Sequence, residues 1–208
     1  MYPTNREEQK LRRQGFELIA GIDEAGRGAW AGPIVAAAVI LPSEFVLPGL
    51  RDSKLLSAIQ RERMYCFIAK RALAWAVGVV DVGTIDAFGI QYANMLAMNR
   101  AVGRLAMRPE ALLIDALKLG HVLPTVSIID GDAKVLSIAA ASVMAKVTRD
   151  YLLSQAGQTF PDYGFARHKG YGTAYHQKAI KEFGVCEIHR KSFQPIKLAI
   201  SLALSGRQ

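Results

Sequence analysis

The sequence predicts an α/β fold with a mixed sheet, and three observations carry that expectation. Two apolar segments of strand length, 16–22 and 34–41, flank a glycine-rich turn that closes on Gly32-Pro33, the pattern of a hairpin. Beyond them, segments of helical period alternate with short apolar runs, as crossover strands require. After residue 157 the texture becomes basic and aromatic, which sets a C-terminal helical region apart from the sheet-bearing core.

The elements follow in order. Thr4-Asn-Arg-Glu7 fits a capping box and predicts a short peripheral helix reaching Gln14. The run Ile34-Val-Ala-Ala-Ala-Val-Ile-Leu41 is apolar throughout, so its strand is covered on both faces. Pro42 and Pro48-Gly49 make a loop that delivers Asp52-Ser53-Lys54. Ser57-Ala-Ile-Gln60 is a second capping box, and Met64, Phe67, Ile68, Ala72 and Trp75 recur along one helical face. A third strand is expected at 75–80. A helix then follows, with Ile90, Ala93, Ala97, Ala101 and Leu105 on its inner face, ended at Arg108-Pro109. Ala111-Leu-Leu-Ile-Asp115 reads as a short buried strand ending on Asp115, and Thr125-Val-Ser-Ile-Ile129 as a further strand closing on Asp130 and Asp132. An alanine-rich helix over 137–153, a helix over 173–183 stopped by Gly184, and a final apolar helix from about Ile196 complete the chain.

Composition narrows the class. At 208 residues, 51% hydrophobic and 21% charged, the chain supports one substantial core and is neither disordered nor collagen-like. No apolar run reaches membrane-span length, and the N-terminal stretch lacks the apolar centre of a secretory signal, so a cytoplasmic location is expected. Cys66 and Cys186 belong to no C-x-x-C pair and read as two reduced core thiols. The net charge of +8 favours a polyanionic partner, nucleic acid being the commonest.

The chemistry centres on Gly21-Ile-Asp-Glu-Ala-Gly-Arg-Gly-Ala-Trp-Ala-Gly-Pro33. Read alone, it serves equally well as a solvated acidic hairpin. In an α/β sheet, however, acids at several strand ends converge, and Asp23, Glu24, Asp115 and Asp132 cannot all ionise in one place without opposing charge. Divalent cations resolve that conflict, and all-oxygen ligands suit Mg²⁺ or Mn²⁺. Two such ions about 4 Å apart would activate a water and stabilise a leaving phosphodiester oxygen. Ser142, Lys146 and Arg149 are spaced four and three apart, so they share a helical face suited to phosphates. His168, His176 and His189 sit among basic residues that oppose a cation, and His121 falls in a loop.

These blocks together resemble the bacterial ribonuclease HII family. The resemblance is carried by Gly21-Ile-Asp-Glu-Ala-Gly-Arg-Gly28 with Ala31-Gly-Pro33, Asp52-Ser-Lys54, Leu96-Ala-Met-Asn-Arg-Ala101, Ile114-Asp115, Gly131-Asp132, Ala140-Ala-Ser142 through Ala145-Lys-Val-Thr-Arg-Asp150, His168-Lys-Gly-Tyr171 and His189-Arg-Lys-Ser-Phe193. It spans about Phe16 to Lys197. It implies an RNase H-like fold: a mixed β-sheet flanked by helices over 1–157, with a substrate-binding helical region over 158–208 in the same compact unit. It further implies hydrolysis of RNA in RNA–DNA hybrids and nicking 5′ of single ribonucleotides in duplex DNA, leaving a 3′-hydroxyl and a 5′-phosphate. The metal-binding carboxylates would be Asp23, Glu24, Asp115 and Asp132, with Mn²⁺ or Mg²⁺ as cofactor. Gly26, Arg27 and Gly28 would recognise the ribose 2′-hydroxyl and Tyr171 would pack on the next, deoxy sugar. Ser53, Lys54, Ser142, Lys146 and Arg149 would contact nucleic acid. The family expectation is a monomer.

Three positions depart from the family pattern. Asp130 replaces the usual lysine before Gly131-Asp132; on a strand both acids would share a face, and alignment on Gly131 favours Asp132 as the ligand. Ala116 stands where glycine commonly follows the strand-end aspartate. Gly89 and Asn94 occupy positions usually held by asparagine and a small hydroxyl residue. Arg27 argues against the related ribonuclease HIII, and the intact acids argue against a binding module without catalysis.

Overall fold

The computed structural model describes residues 2–46, 57–116 and 121–205. Ser53 and Lys54, expected nucleic-acid contacts, lie outside these residues. Five strands form one mixed sheet in the order β3-β2-β1-β4-β5: β1 (Ile19–Ala25), β2 (Ile34–Ile40), β3 (Ala74–Val80), β4 (Ala111–Asp115) and β5 (Thr125–Ile128). The pairs β1/β2 and β2/β3 are antiparallel, while β1/β4 and β4/β5 are parallel, as expected of a hairpin followed by crossovers.

Side-chain alternation along the strands divides the core between two helices. On β1 and β2, Ala20, Ile22, Ile34, Ala36, Ala38 and Ile40 pack with Ala93, Ala97, Met98 and Ala101 of α3 (Val82–Gly103). Val35, Ala37 and Val39 pack on the other face with Ala140, Val143 and Met144 of α5 (Leu136–Thr159) and with Ile68 of α2 (Ala58–Arg71). Every residue of β2 is buried, which is why its sequence shows no alternation. Each fully buried Ile or Val contributes about 1.5–3 kcal/mol. The alanines of α3 let it lie close on β3, where a side chain at Gly78 would overlap the carbonyl of Ala97 and the amide of Ala101.

Several elements differ from expectation for tertiary reasons. The first helix, α1 (Arg6–Arg13), starts one residue later than a Thr4 capping box would allow, with Asn5 at its N-cap. The Thr4 backbone is used elsewhere: its N–H donates to Lys134 O and its carbonyl accepts from Leu136 N–H. Nor is α1 peripheral, since buried Glu8 accepts a 2.8 Å hydrogen bond from Ser137 N–H and so caps the start of α5. The strand β1 runs three residues past Ile22, which brings Asp23 and Glu24 into the strand itself. Ala72 and Trp75 lie outside α2, because the chain turns at Ala72 and Trp75 enters β3. The Ser57–Gln60 capping box forms as read. Gly89 (φ 83°, ψ 160°) interrupts α3, dividing it into two helical pieces. Cys66 is exposed and Cys186 half-buried, so neither is a core thiol.

The C-terminal region comprises a short 3₁₀ turn (Pro161–Tyr163), α6 (Phe165–His168), α7 (Ala174–Phe183) and α8 (Gln194–Ser205). Tyr163, Phe165 and Ala179 pack with Ala31 and Leu153, joining this region to α5 and to the turn after β1. Thr173 caps α7 and Gly184 ends it. Among the described residues no helix is long and apolar enough to cross a membrane.

Filling the α3–β3 contact tests the packing argument. Gly78→Ala is expected to lower stability by about 1–3 kcal/mol, because backbone atoms on both sides must separate. Urea unfolding measures this, and an unchanged midpoint would show that the two elements are free to part.

Candidate active site

Sheet register assembles the acids. Ile22 pairs with Ile114 across the parallel β1/β4 ladder, so Asp23 and Asp115 emerge side by side at the strands' C-terminal ends. Alternation sends Asp23 towards α5, where the Ser142 hydroxyl bonds it, and Glu24 towards α3, where Asn94 lies. Asp115 Oδ1 accepts a 2.7 Å hydrogen bond from Gly131 N–H at the start of α4 (Gly131–Lys134). That bond brings Asp132, 4% exposed, to the same place. Asp132 therefore belongs to a helix rather than a strand end, and Asp130 does not share its face. Asp130 adopts a left-handed conformation (φ 55°), is largely exposed and pairs with Lys134 at 3.8 Å.

Asp23, Glu24, Asp115 and Asp132 line an open pocket of about 260 Å³ with Gly26, Arg27, Gly28, Ser142, Lys146 and Tyr171. Burial, reinforced by the charges of Glu24 and Asp115, holds the Asp23 carboxyl well above the usual carboxylate range. Burial also raises Glu24, opposed by Asn94 and by Arg27, whose Nη1 lies 3.9 Å from Glu24 Oε1. Among the described residues no three of these groups already stand as a closed ligand set. Their all-oxygen chemistry and mutual repulsion nonetheless suit a hard divalent cation, whose charge would relieve both burial and repulsion.

The second half of the pocket is held by two arginines with no solvent exposure. Arg149 donates to three backbone carbonyls: Nε to Pro33 O (3.0 Å), Nη1 to Lys169 O (2.9 Å) and Nη2 to Ala31 O (3.0 Å). It passes directly beneath Gly26 (φ 94°), where any side chain would collide with the guanidinium. Arg190 donates to Gly32 O (3.0 Å), Arg27 O (3.1 Å) and Pro33 O (3.2 Å). Arg149 is therefore not a phosphate contact. It shares a helical face with Lys146, but it lies one turn deeper, under the Gly26-Arg27-Gly28 turn. Ser142 is likewise turned to Asp23. Lys146 does line the pocket, with its Nζ 2.6 Å from Asp150 Oδ1 and 5.6 Å from the Tyr171 ring centre.

The comparisons with known proteins agree with one another. Residues 20–196 match the family model for ribonuclease HII. A ribonuclease HII of Bacillus cytotoxicus is 54% identical over 190 residues, covering 91% of this chain and 73% of the relative. The chain belongs to the ribonuclease HII family. It is accordingly an endonuclease of the ribonuclease H class. The ribonuclease H2 of Pyrococcus horikoshii OT3 shares the fold, with a TM-score of 0.75 at 23% identity, covering 88% of this chain and 97% of that one. The ribonuclease HII of Archaeoglobus fulgidus, solved in a complex with PCNA, matches with a TM-score of 0.74 at 26% identity, covering 88% and 96%.

Three features of the site are not legible in the sequence. Arg190 is one, because nothing in His189-Arg-Lys-Ser-Phe193 separates a buried arginine from an exposed one. Asn94 is another: it is wholly buried, neither Oδ1 nor Nδ2 meets a partner in hydrogen-bonding geometry among the described residues, yet it lies near enough to Glu24 to favour the ionised carboxylate. The third is the packing of His168, His176 and His189 into one buried stack, whose only signal was their shared nearness to Tyr171 and Arg190.

The different depths of Lys146 and Arg149 can be separated by salt titration. Lys146→Ala should reduce the salt dependence of duplex binding by about one phosphate contact. Arg149→Lys should leave that slope unchanged while costing about 2–4 kcal/mol of folding stability, since a buried charge loses its carbonyl partners. A reduced slope in Arg149→Lys with stability intact would restore it as a phosphate ligand.

Proposed function

We propose that this protein hydrolyses the RNA strand of RNA–DNA hybrids and nicks duplex DNA on the 5′ side of a single embedded ribonucleotide, leaving a 3′-hydroxyl and a 5′-phosphate. The observation that carries the reading is that one pocket brings together the four carboxylates, the Gly26-Arg27-Gly28 turn and Tyr171. Asp23, Glu24, Asp115 and Asp132 would hold Mg²⁺ or Mn²⁺, which when bound supplies an activated water and charge stabilisation for the leaving oxygen.

The chain's own residues orient the substrate. Ser142 holds Asp23 from the α5 side and Gly131 N–H holds Asp115, so both carboxylates keep their direction with little side-chain freedom. The backbone of Gly26-Arg27-Gly28 reads the ribose: without side chains at its two glycines, its polar groups can approach a 2′-hydroxyl closely. Lys146 supports the adjoining phosphate from the pocket wall, as would Ser53 and Lys54 of the preceding loop. Tyr171 presents a partly exposed ring at the far side, where it would stack on the following sugar and favour a deoxy sugar over a ribose there. The +8 net charge provides the long-range attraction to either duplex. We place the activity in the cytoplasm.

Asp23→Asn should reduce cleavage of a duplex with one ribonucleotide by about a thousandfold or more while binding survives, because a ligand charge is lost with almost no change in volume. Asp130→Asn should cleave within about twofold of the parent, since its carboxylate faces away from the pocket. Single-turnover cleavage with Mg²⁺ or Mn²⁺, paired with anisotropy binding, reads both. Normal turnover in Asp23→Asn would remove it from the metal site, and loss confined to Asp130→Asn would replace Asp132 by Asp130.

A further inference from the structure

Tyr171 is attached to the fold through its backbone carbonyl, and hydrogen-bond geometry dictates the chemical state of everything behind it. That carbonyl accepts from Thr173 N–H at 2.8 Å and faces His176 Nδ1 at 3.0 Å. The other nitrogen of His176, Nε2, lies 3.0 Å from His189 Nε2. Two imidazole nitrogens at that distance need one proton between them, and the next link decides which ring carries it. Cys186 N–H donates to His189 Nδ1 at 2.9 Å, and Cys186 Sγ lies 3.1 Å from the same nitrogen. His189 Nδ1 is therefore an acceptor, so its proton is on Nε2. His176 Nε2 must accept that proton's hydrogen bond, which leaves Nδ1–H of His176 to donate to the Tyr171 carbonyl.

His168 is settled by the same reasoning. Its Nδ1 accepts from Gly170 N–H at 3.2 Å and its Nε2 donates to Tyr163 O at 2.7 Å. Its ring stacks on His176 with centres 4.3 Å apart and planes at 18°. All three rings are thus neutral, each with one tautomer.

We propose that His189 and His176 form a tautomer-locked hydrogen-bond relay from Cys186 to the Tyr171 carbonyl, making them positioning residues for the sugar test at Tyr171. This rests on the role given to Tyr171 under the proposed function. The relay enters α7 at its first turn, where the positive helix end also disfavours a proton on His176. Its surroundings are apolar on most sides: Trp30 and Phe165 flank His176, and Tyr163 and Phe165 flank His189. The titratable and charged groups facing the stack are Tyr163, Tyr175, Cys186, Glu187 and Arg167, together with the histidines themselves. Burial pushes His176 and His189 down to about 4, so the relay keeps its neutral form across the physiological range.

The sign of the acid response follows. An unfolded chain takes up protons at these positions near 6.5, whereas the folded chain resists until about 4. The relay's contribution to stability is therefore complete above 6.5 and is lost as pH falls towards 4.

Long-range ¹H–¹⁵N imidazole spectra of the whole protein at pH 6 test the relay directly. His168 and His189 should appear as Nε2–H tautomers and His176 as the Nδ1–H tautomer; His176 found as Nε2–H, or as imidazolium, overturns the proposal. The functional arm compares nicking at a single ribonucleotide followed by a deoxy or by a ribo nucleotide. His176→Leu should reduce that preference about tenfold while hybrid cleavage changes less than about threefold, and Tyr171→Ala should add nothing further in that background. His176→Asn, whose amide nitrogen stands near the Nδ1 position, should retain the preference. Equal loss on every substrate in His176→Leu, with His176→Asn no better, would make the stack structural only. If the unaltered protein shows no preference between the two substrates, the reading of Tyr171 falls, while the spectra still decide the relay.

Discussion

The pocket depends on two buried guanidinium groups whose hydrogen-bond partners, among the described residues, are backbone carbonyls. Arg149 and Arg190 both donate to Pro33 O, and between them they hold the carbonyls of Arg27, Ala31, Gly32 and Lys169. Taking a cation out of water is expensive, and burial accordingly lowers both groups, Arg190 to about 9. The cost is offset only while every carbonyl stays in place, so the turn after β1 and the segment before Tyr171 cannot shift independently. Arginine is needed because its planar fork can reach several carbonyls at once, whereas a lysine offers a single point of charge. The bridge between Ala31 and His189 and the bond from Arg190 N–H to Trp30 O add backbone links along the same seam.

On the other side of the pocket the electrostatics run the opposite way. Asp23 and Asp132 are buried and Glu24 and Asp115 half-buried in one pocket, where Arg27 lies 3.9 Å from Glu24 and Lys146 is drawn to Asp150. A sequence selected for stability alone would not place Asp23 under burial and two like charges. Rigid cationic supports therefore surround an anionic centre that has conflict built into it. The separation explains why the Gly26-Arg27-Gly28 turn can be held firmly although the acids beside it repel.

How much of this was legible depended on whether a role is set by spacing or by depth. The mixed sheet, the pairing of capped helices with apolar strands and the convergence of Asp23, Glu24 and Asp115 all follow from periodicity and strand ends, which a sequence displays. Depth it does not display. Ser142, Lys146 and Arg149 share one helical face, but the first meets a carboxylate, the second a pocket and the third the underside of a turn. Asp132 lines the expected pocket from an unexpected element, because one residue of left-handed backbone at Asp130 converts an apparent strand end into a helix start. The Thr4 capping box failed for a similar reason: its backbone groups found better partners at Lys134 and Leu136, far away in the chain.

The two non-glycine left-handed residues nearest the site connect these themes. Ala116 (φ 44°) follows Asp115, and Asp130 (φ 55°) precedes Gly131, so strained backbone brackets the hydrogen bond that aims the Asp115 carboxylate. Such conformations cost about 1 kcal/mol or more for residues bearing a Cβ. They persist because Ala116 N–H is tied to Ile128 O and Ala133 N–H to Asp130 O. Glycine at 116 would remove the first strain without touching Asp115, whereas alanine narrows the unfolded ensemble at the cost of that strain. The departure at this position therefore places a strained residue where glycine would be strain-free, beside a carboxylate that must hold its direction against its neighbours' charge.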